Sequence, residues 1–372
     1  MNSQVIFMKI QRLLRIVPIL LATFIVSCSD DIVNDNKDNG PNGSVPGAGT
    51  PSGYRQCRGA DISWLTQMEA EGIKFRYRSG EEGDCMAILK GMGMNAFRFR
   101  LWVSPENQYS STADVLAKAE RARDLGMDIM LDFHYSDSWA DPSQQKIPAA
   151  WEGQTIDQLV VTLGDYTRNT LQQFKDRGID VKWVQVGNET GNGMLWPLGK
   201  ADTNPQGYAR LNNAGYDAVK SVYPEAQVIV HLQDGQNKDL YSWLFGVLRN
   251  NGGKWDVIGM SLYPEPSNYV SYVESCEENM EALQAQYGCK FMLCEVGMGN
   301  SYVEQCRDFL TRCFKISDSN VGEDYLGALY WEPQVYNDWN GYKKGAFTSQ
   351  GTPSGALDAY HFDDSGVPIV NQ

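Results

Sequence analysis

The chain has 372 residues, enough for one large core, and carries 46 Asp plus Glu against 32 Lys plus Arg for a formal charge of −14. That acidic balance excludes partners gripped through their own negative charge, nucleic acid and anionic polymers above all. With three histidines and no CxxC, HExxH or three-histidine pattern, the chain does not fit a zinc enzyme.

Lys9, Arg12 and Arg15 precede an apolar run over 16–26 that is too short to span a bilayer and has the form of a secretory signal. The run ends in Ile25-Val26-Ser27-Cys28, which resembles a bacterial lipobox and implies cleavage after Ser27 with a lipid on Cys28. Ser29, Asp30 and Asp31 follow at once and resemble the acidic tag that sends some Gram-negative lipoproteins to the outer face of the cell. Residues 28–53 are Asn, Asp, Gly, Ser and Pro with few apolar groups, so they cannot bury enough surface to fold. The expected layout is a signal over 1–27, a lipidated tether over 28–53 and one catalytic domain over 54–372. The implied location is the outer membrane, facing the cell surface, with the lipid anchor as the membrane contact.

From residue 54 onward, short β-rich runs alternate with capped amphipathic segments. Eight strands are expected, over 58–63, 95–103, 128–136, 182–189, 227–232, 257–263, 291–296 and 327–331. Helices between them include 113–125, with Gly126 beyond its end, and 213–222, closed by Pro224. Eight β/α alternations with no glycine-rich phosphate loop favour an α/β fold of the closed (β/α)8 barrel type over a doubly wound sheet. No internal repeat or second domain is visible.

The feature with the most chemical content is a pair of glutamates. Glu189 ends the run Val184-Gln185-Val186-Gly187-Asn188-Glu189 and Glu295 ends Phe291-Met292-Leu293-Cys294-Glu295. A buried strand has little use for a carboxylate, because desolvating the charge is costly unless it is paired or does chemistry. At the ends of two strands of one parallel barrel, both face the same mouth, where paired carboxylates cut glycosidic bonds. The 10 tryptophans and 19 tyrosines, many in expected loops after strands, suit the apolar faces of sugar rings.

Eight cysteines fit an exported chain. Cys294 alternates with Glu295 and is expected to face the helices. Cys306 and Cys313 lie two turns apart on one expected helix, roughly 10 Å and beyond disulfide reach. The pairings Cys57 with Cys85 and Cys276 with Cys289 stay open.

The run Asp132-Phe133-His134-Tyr135-Ser136-Asp137-Ser138-Trp139-Ala140-Asp141-Pro142, followed by Ile147-Pro148-Ala149-Ala150-Trp151, resembles the loop after strand three in glycoside hydrolase family 53, the endo-β-1,4-galactanases. Arg58-Gly59-Ala60-Asp61, Phe97-Arg98-Phe99-Arg100-Leu101-Trp102, Gly187-Asn188-Glu189, Ser261-Leu262-Tyr263-Pro264 and Tyr330-Trp331-Glu332-Pro333 resemble it in the same order. One departure is Val296 after Glu295, where the family commonly has threonine. The resemblance implies Glu189 as acid/base and Glu295 as nucleophile in retaining hydrolysis of β-1,4-galactan or type I arabinogalactan. Glu189 must then be protonated and Glu295 ionised. On strand parity Arg98 shares a face with Arg100 and Trp102 and is the candidate cation for Glu295.

The resemblance also implies Asn188 on the sugar 2-hydroxyl, Tyr263 bonded to the nucleophile and Trp331 as the platform under the sugar. Alternation alone puts Asn188 and Glu189 on opposite faces, so both reach the site only if the strand twists or ends there. Asp132 and His134 share one face of strand three and would line the mouth. Trp139 and Trp196 are candidates to stack on further sugar rings. No cofactor is called for, and calcium near the loop after strand seven is left open. The alternatives are another retaining β-glycanase of the same barrel clan, acting on mannan, xylan or glucan, and a non-catalytic glycan-binding lipoprotein.

Overall fold

The computed structural model of the chain describes residues 55–361; Cys28 and the expected signal and tether lie outside the described residues. Its strands and helices alternate: β1 (Cys57–Asp61), α1 (Leu65–Ala70), α2 (Cys85–Gly91), β2 (Ala96–Leu101), α3 (Thr112–Asp124), β3 (Asp128–Phe133), α4 (Ile156–Asp176) and β4 (Trp183–Val186). The second half runs α5 (Pro205–Val222), β5 (Gln227–Leu232), α6 (Lys238–Asn250), β6 (Val257–Leu262), α7 (Tyr269–Tyr287), β7 (Lys290–Val296), α8 (Val303–Lys315) and β8 (Tyr325–Trp331). All neighbours pair in parallel and β8 returns to β1, which closes the barrel in sequence order.

The helices start where side chains satisfy the free N–H groups of the first turn. Ser111 caps α3, and Thr155 with Gln158 forms a capping box on α4. The fifth helix begins eight residues before the expected 213, because Asn204 accepts from Gly207 N and Pro205 stands at the first helical position.

Every strand is buried on both faces. The outer faces pack against the helices. Inside the barrel, Cys57, Ala96, Met130, Trp183, Ile229, Val257, Met292, Cys294, Leu326 and Leu329 form a separate apolar plug. Above that plug, toward the C-terminal ends of the strands, the inward positions turn polar: Asp61, Arg98, Asp132, Gln185 and His231 are all buried. An apolar floor under a polar layer sets up a chemical site at the upper end.

Cys294 is a correction: expected toward the helices, it faces the plug together with Met292, two residues before it, so alternation holds as far as Cys294. The break follows, where the β6–β7 register slips: Met260 pairs with Leu293, and Ser261 with Glu295. The skipped residue bulges, and Glu295 turns to the inner face beside Cys294. The cysteine pairings left open are not made: all seven cysteines from Cys57 to Cys313 are free. Cys57 belongs to the plug and Cys85 to the layer outside the sheet, so the barrel wall separates them.

Candidate active site

The site is organised by one guanidinium. Arg98, 1% exposed, sends Nε to Gln185 Oε1 at 2.6 Å, Nη1 to Asp61 Oδ2 at 2.6 Å, and Nη2 to Asp132 Oδ2 and Asn188 Oδ1 at 2.9 Å. Nη2 also lies 2.9 Å from Glu295 Oε1. A single buried cation thus faces three carboxylates. Burial works against its charge, but Asp132, Glu295 and Asp61 raise its pKa well above the ordinary arginine value.

Glu295 is completed by Tyr263, whose hydroxyl donates to Oε2 at 2.9 Å. Burial pushes the carboxyl up to about 7, while Arg98 and Tyr263 pull toward the ionised form. Val296, the departure from the family's threonine, packs outward in the main core and leaves this contact untouched.

Glu189 reaches the mouth because β4 stops at Val186. Gly187 has φ +90°, and a Cβ there would sit 2.5 Å from Thr190 Cγ2; Glu189 itself adopts φ +45°. The strand therefore ends before Asn188 and Glu189, which frees both from alternation. Ser261 Oγ donates to Glu189 Oε1 at 2.7 Å. Burial first and the Glu295 charge second push Glu189 up to about 8. Glu295 has a cation beside it and Glu189 has none in contact, so the shared proton resides on Glu189.

A chain of hydrogen bonds links the two carboxyls. Gln185 Nε2 donates to Asp132 Oδ1 at 3.1 Å and to His231 Nδ1 at 2.9 Å. Burial lowers the His231 pKa well below normal, so the ring is neutral, and its other nitrogen, Nε2, donates to Ser261 Oγ at 2.9 Å. Arg98 thus bonds Glu295 directly and orients Glu189 through Gln185, His231 and Ser261.

His134 Nε2 lies 2.9 Å from Asp132 Oδ2, while Nδ1 accepts from Ala140 N at 3.1 Å and Trp102 Nε1 at 3.3 Å. Burial holds this ring below its usual pKa. Against burial, Arg98 and His134 hold Asp132 at about 2.

A cleft of about 650 Å3 opens above these groups, lined by His134, Trp139, Asp141, Asn188, Glu189, Tyr263, Glu295, Trp331 and the segment Gly341 to Lys344. Asn188, part of the cleft lining, donates from Nδ2 to Ala140 O at 2.8 Å. Trp139 and Trp331 form an apolar wall, with ring centroids 6.0 Å apart and Trp64 wedged behind them at 5.9 and 5.0 Å. Arg100 backs the same wall, its guanidinium 4.2 Å from the Trp139 ring centroid.

Among the expected site residues, His134, Trp139, Asn188, Glu189, Tyr263, Glu295 and Trp331 come together at the cleft. Arg98 and Asp132 are buried beneath its floor, bonded to protein groups, and are not part of the cleft lining. Trp196 is not on the cleft wall: its indole donates to Asn192 O at 2.8 Å and packs within its own loop.

Sequence reasoning passed over Ser261, Gln185 and Asp61. Ser261 had a signal, since it sits two residues before Tyr263 on the same strand face. It also passed over Glu332, buried under Arg100 with Trp64 N donating to it at 3.1 Å. Tyr342, Lys343 and Lys344 come from the loop after β8, where no local pattern marks them. Among the described residues no group of three His, Cys, Asp or Glu could hold a metal ion.

Comparison with known proteins points the same way. The description Glycosyl hydrolase family 53 matches residues 57–308. A probable arabinogalactan endo-β-1,4-galactanase A of Neosartorya fischeri is 31% identical over 303 residues, covering 74% of this chain and 83% of that one. The arabinogalactan endo-β-1,4-galactanase of Humicola insolens is 29% identical over 331 residues, covering 82% and 99%. Among solved structures, a fungal β-1,4-galactanase superposes with TM-score 0.75 at 26% identity over 82% of this chain and 98% of its own. The catalytic domain of an Ignisphaera aggregans member of the same family gives 0.73 at 26% identity, over 82% and 94%.

Proposed function

Since the chain belongs to glycosyl hydrolase family 53, we infer that its cleft hydrolyses β-1,4-galactosidic bonds inside galactan or type I arabinogalactan chains, with retention at the anomeric carbon. The observation that carries this reading is the unequal treatment of two carboxyls at one mouth, Glu295 against Arg98 and Tyr263, and Glu189 against Ser261 alone.

Glu189, protonated, gives its proton to the leaving glycosidic oxygen as Glu295 Oε attacks the anomeric carbon. The bond to the leaving group breaks and a glycosyl ester forms on Glu295. Glu189, now a carboxylate, takes a proton from water, which attacks the same carbon and frees Glu295. Arg98 and Tyr263 hold the nucleophile ionised and aimed. Asn188 faces the sugar beside the reacting carbon, and Trp331 with Trp139 takes its apolar face.

The reading extends to location. The lipobox-like Cys28 and the acidic residues after it support a lipoprotein of the outer membrane, held by its lipid and working on polysaccharide outside the cell. Galactan side chains of pectin are the substrate this implies. Product sizing and reducing-end release on galactan, arabinogalactan, mannan and xylan test the activity. Internal cutting of galactan is expected, and cutting of xylan or mannan with galactan left intact refutes it. Proton NMR of the first product checks retention: β is expected, and α contradicts it.

A further inference from the structure

A cavity of about 720 Å3, larger than the catalytic cleft, lies at the opposite end of the barrel among the loops that lead into β5 to β8. Its volume is within the range of small-molecule sites. Three cationic and three anionic side chains line it: Lys220, Lys254 and Lys290 against Glu225, Asp256 and Asp324. Lys220 Nζ meets Asp256 Oδ2 at 2.7 Å, and Lys254 Nζ meets Asp217 Oδ1 at 2.8 Å. With its charges matched, the lining has no net attraction for an ion of either sign. It presents hydrogen-bond donors and acceptors side by side, the arrangement that suits neighbouring hydroxyls of an uncharged polyol.

The aromatic residues of the wall strengthen this assignment. Trp255 and Tyr287 are half-buried, their ring centroids 5.6 Å apart and their planes at 77°, and both line the cavity. Phe245 supports Trp255 from behind at 5.2 Å. Braced rings next to polar groups match the two-sided chemistry of a pyranose, apolar on its C–H face and polar at its rim. Glu225 and Lys290 have no side-chain partner among the described residues, so both groups are available to a ligand.

We propose that this cavity is a second, non-catalytic binding site for a neutral glycan, namely the galactan chain whose bonds the cleft cuts. The choice of galactan rests on the function proposed above. Bound there, one stretch of polymer keeps others near the cleft, so capture of the chain becomes partly intramolecular.

Affinity electrophoresis in gels containing β-1,4-galactan tests this on the full chain carrying Glu295→Gln, which leaves the polymer intact. Adding Trp331→Ala weakens the cleft, and retardation is expected to persist through the second site. In that background, Trp255→Ala should weaken galactan binding at least about fivefold, the scale of a lost stacking contact. Because Trp255 also packs on Phe245, the surface pair Glu225→Ala and Lys290→Ala provides an independent variant, with the same loss expected. If the latter variant, folded by its thermal melt, binds galactan as its background does, the proposal is overturned. Wild-type hydrolysis of galactan is measured separately: its absence strikes the function, whereas unchanged hydrolysis with no second site strikes this proposal alone.

Discussion

Two glutamates of one chemical type are driven apart by what touches them. Glu295 lies 2.9 Å from a guanidinium, and Glu189 receives only a serine hydroxyl at 2.7 Å. The roles that follow are separable. Glu295→Ala should lose turnover by orders of magnitude on every substrate, because the attacking group is gone. Glu189→Ala should still form the glycosyl ester from an aryl galactobioside with a good leaving group, then stall. Azide should release that ester as a β-galactosyl azide, detected by NMR; β-azide from the Glu295 variant instead means the roles are reversed. Ser261 supports a finer test. Its hydroxyl favours the Glu189 carboxylate, so Ser261→Ala raises the acid's pKa further. The alkaline limb of the kcat/KM profile should move up by as much as about one unit. Movement to lower pH contradicts Glu189 as the acid.

At the scale of elements, the site depends on two places where strands break their own rule. The fourth strand ends at Val186, and Gly187 swings the chain so that two adjacent residues enter one cleft. The seventh slips against the sixth, and the bulge at Cys294 brings Glu295 inward. Gly259 makes room for that bulge: a Cβ there would lie 2.7 Å from both Cys294 Sγ and Ile229 Cγ2. Gly259→Ala should therefore cost about 1–3 kcal/mol of stability by overpacking, and lower kcat as Glu295 is displaced. Adding Cys294→Ala should recover part of both, read by thermal melts and kinetics. No recovery would show that the bulge is not what Gly259 accommodates.

Over the whole molecule, buried carboxyls make stability depend on pH in a stated direction. Burial and the Asp61 charge push Glu332 up to about 8 from an ordinary 4.5, and burial with the Glu295 charge raises Glu189 likewise. Their contribution is fully present below about 4.5 and is lost as pH rises through about 8. Asp132, held at about 2, acts oppositely and loses its contribution as pH falls from 3.8. Melting temperature should peak at about pH 4–5 and decline toward about pH 8. Glu332→Gln, which cannot ionise, should flatten that decline; an unchanged slope removes Glu332 as a source. Anchoring is also a property of the whole chain. Cys28→Ala should release the protein from membranes or leave its signal uncleaved, by fractionation and mass spectrometry of the N-terminus. A wild-type N-terminus without lipid refutes the anchor.

Apart from the Tyr263–Glu295 contact, which only the family resemblance implied, the sequence by itself determined the order of eight strands, the two glutamates at strand ends four and seven, and Arg98 as the candidate cation for Glu295. These are legible because burial period, chain breaks and charge are local, and a carboxylate closing an apolar run has few other uses. Only the tertiary structure decided that Cys294 turns inward, that all seven described cysteines stay free, and that Arg98 and Asp132 are buried beneath the cleft instead of lining it. It also decided that Trp196 packs into its own loop and that Ser261 reaches Glu189. Each of these depends on pairing register between strands, or on which residues meet when the barrel closes. Those distances are set by the packing of segments far apart in the chain, and no window of sequence contains them.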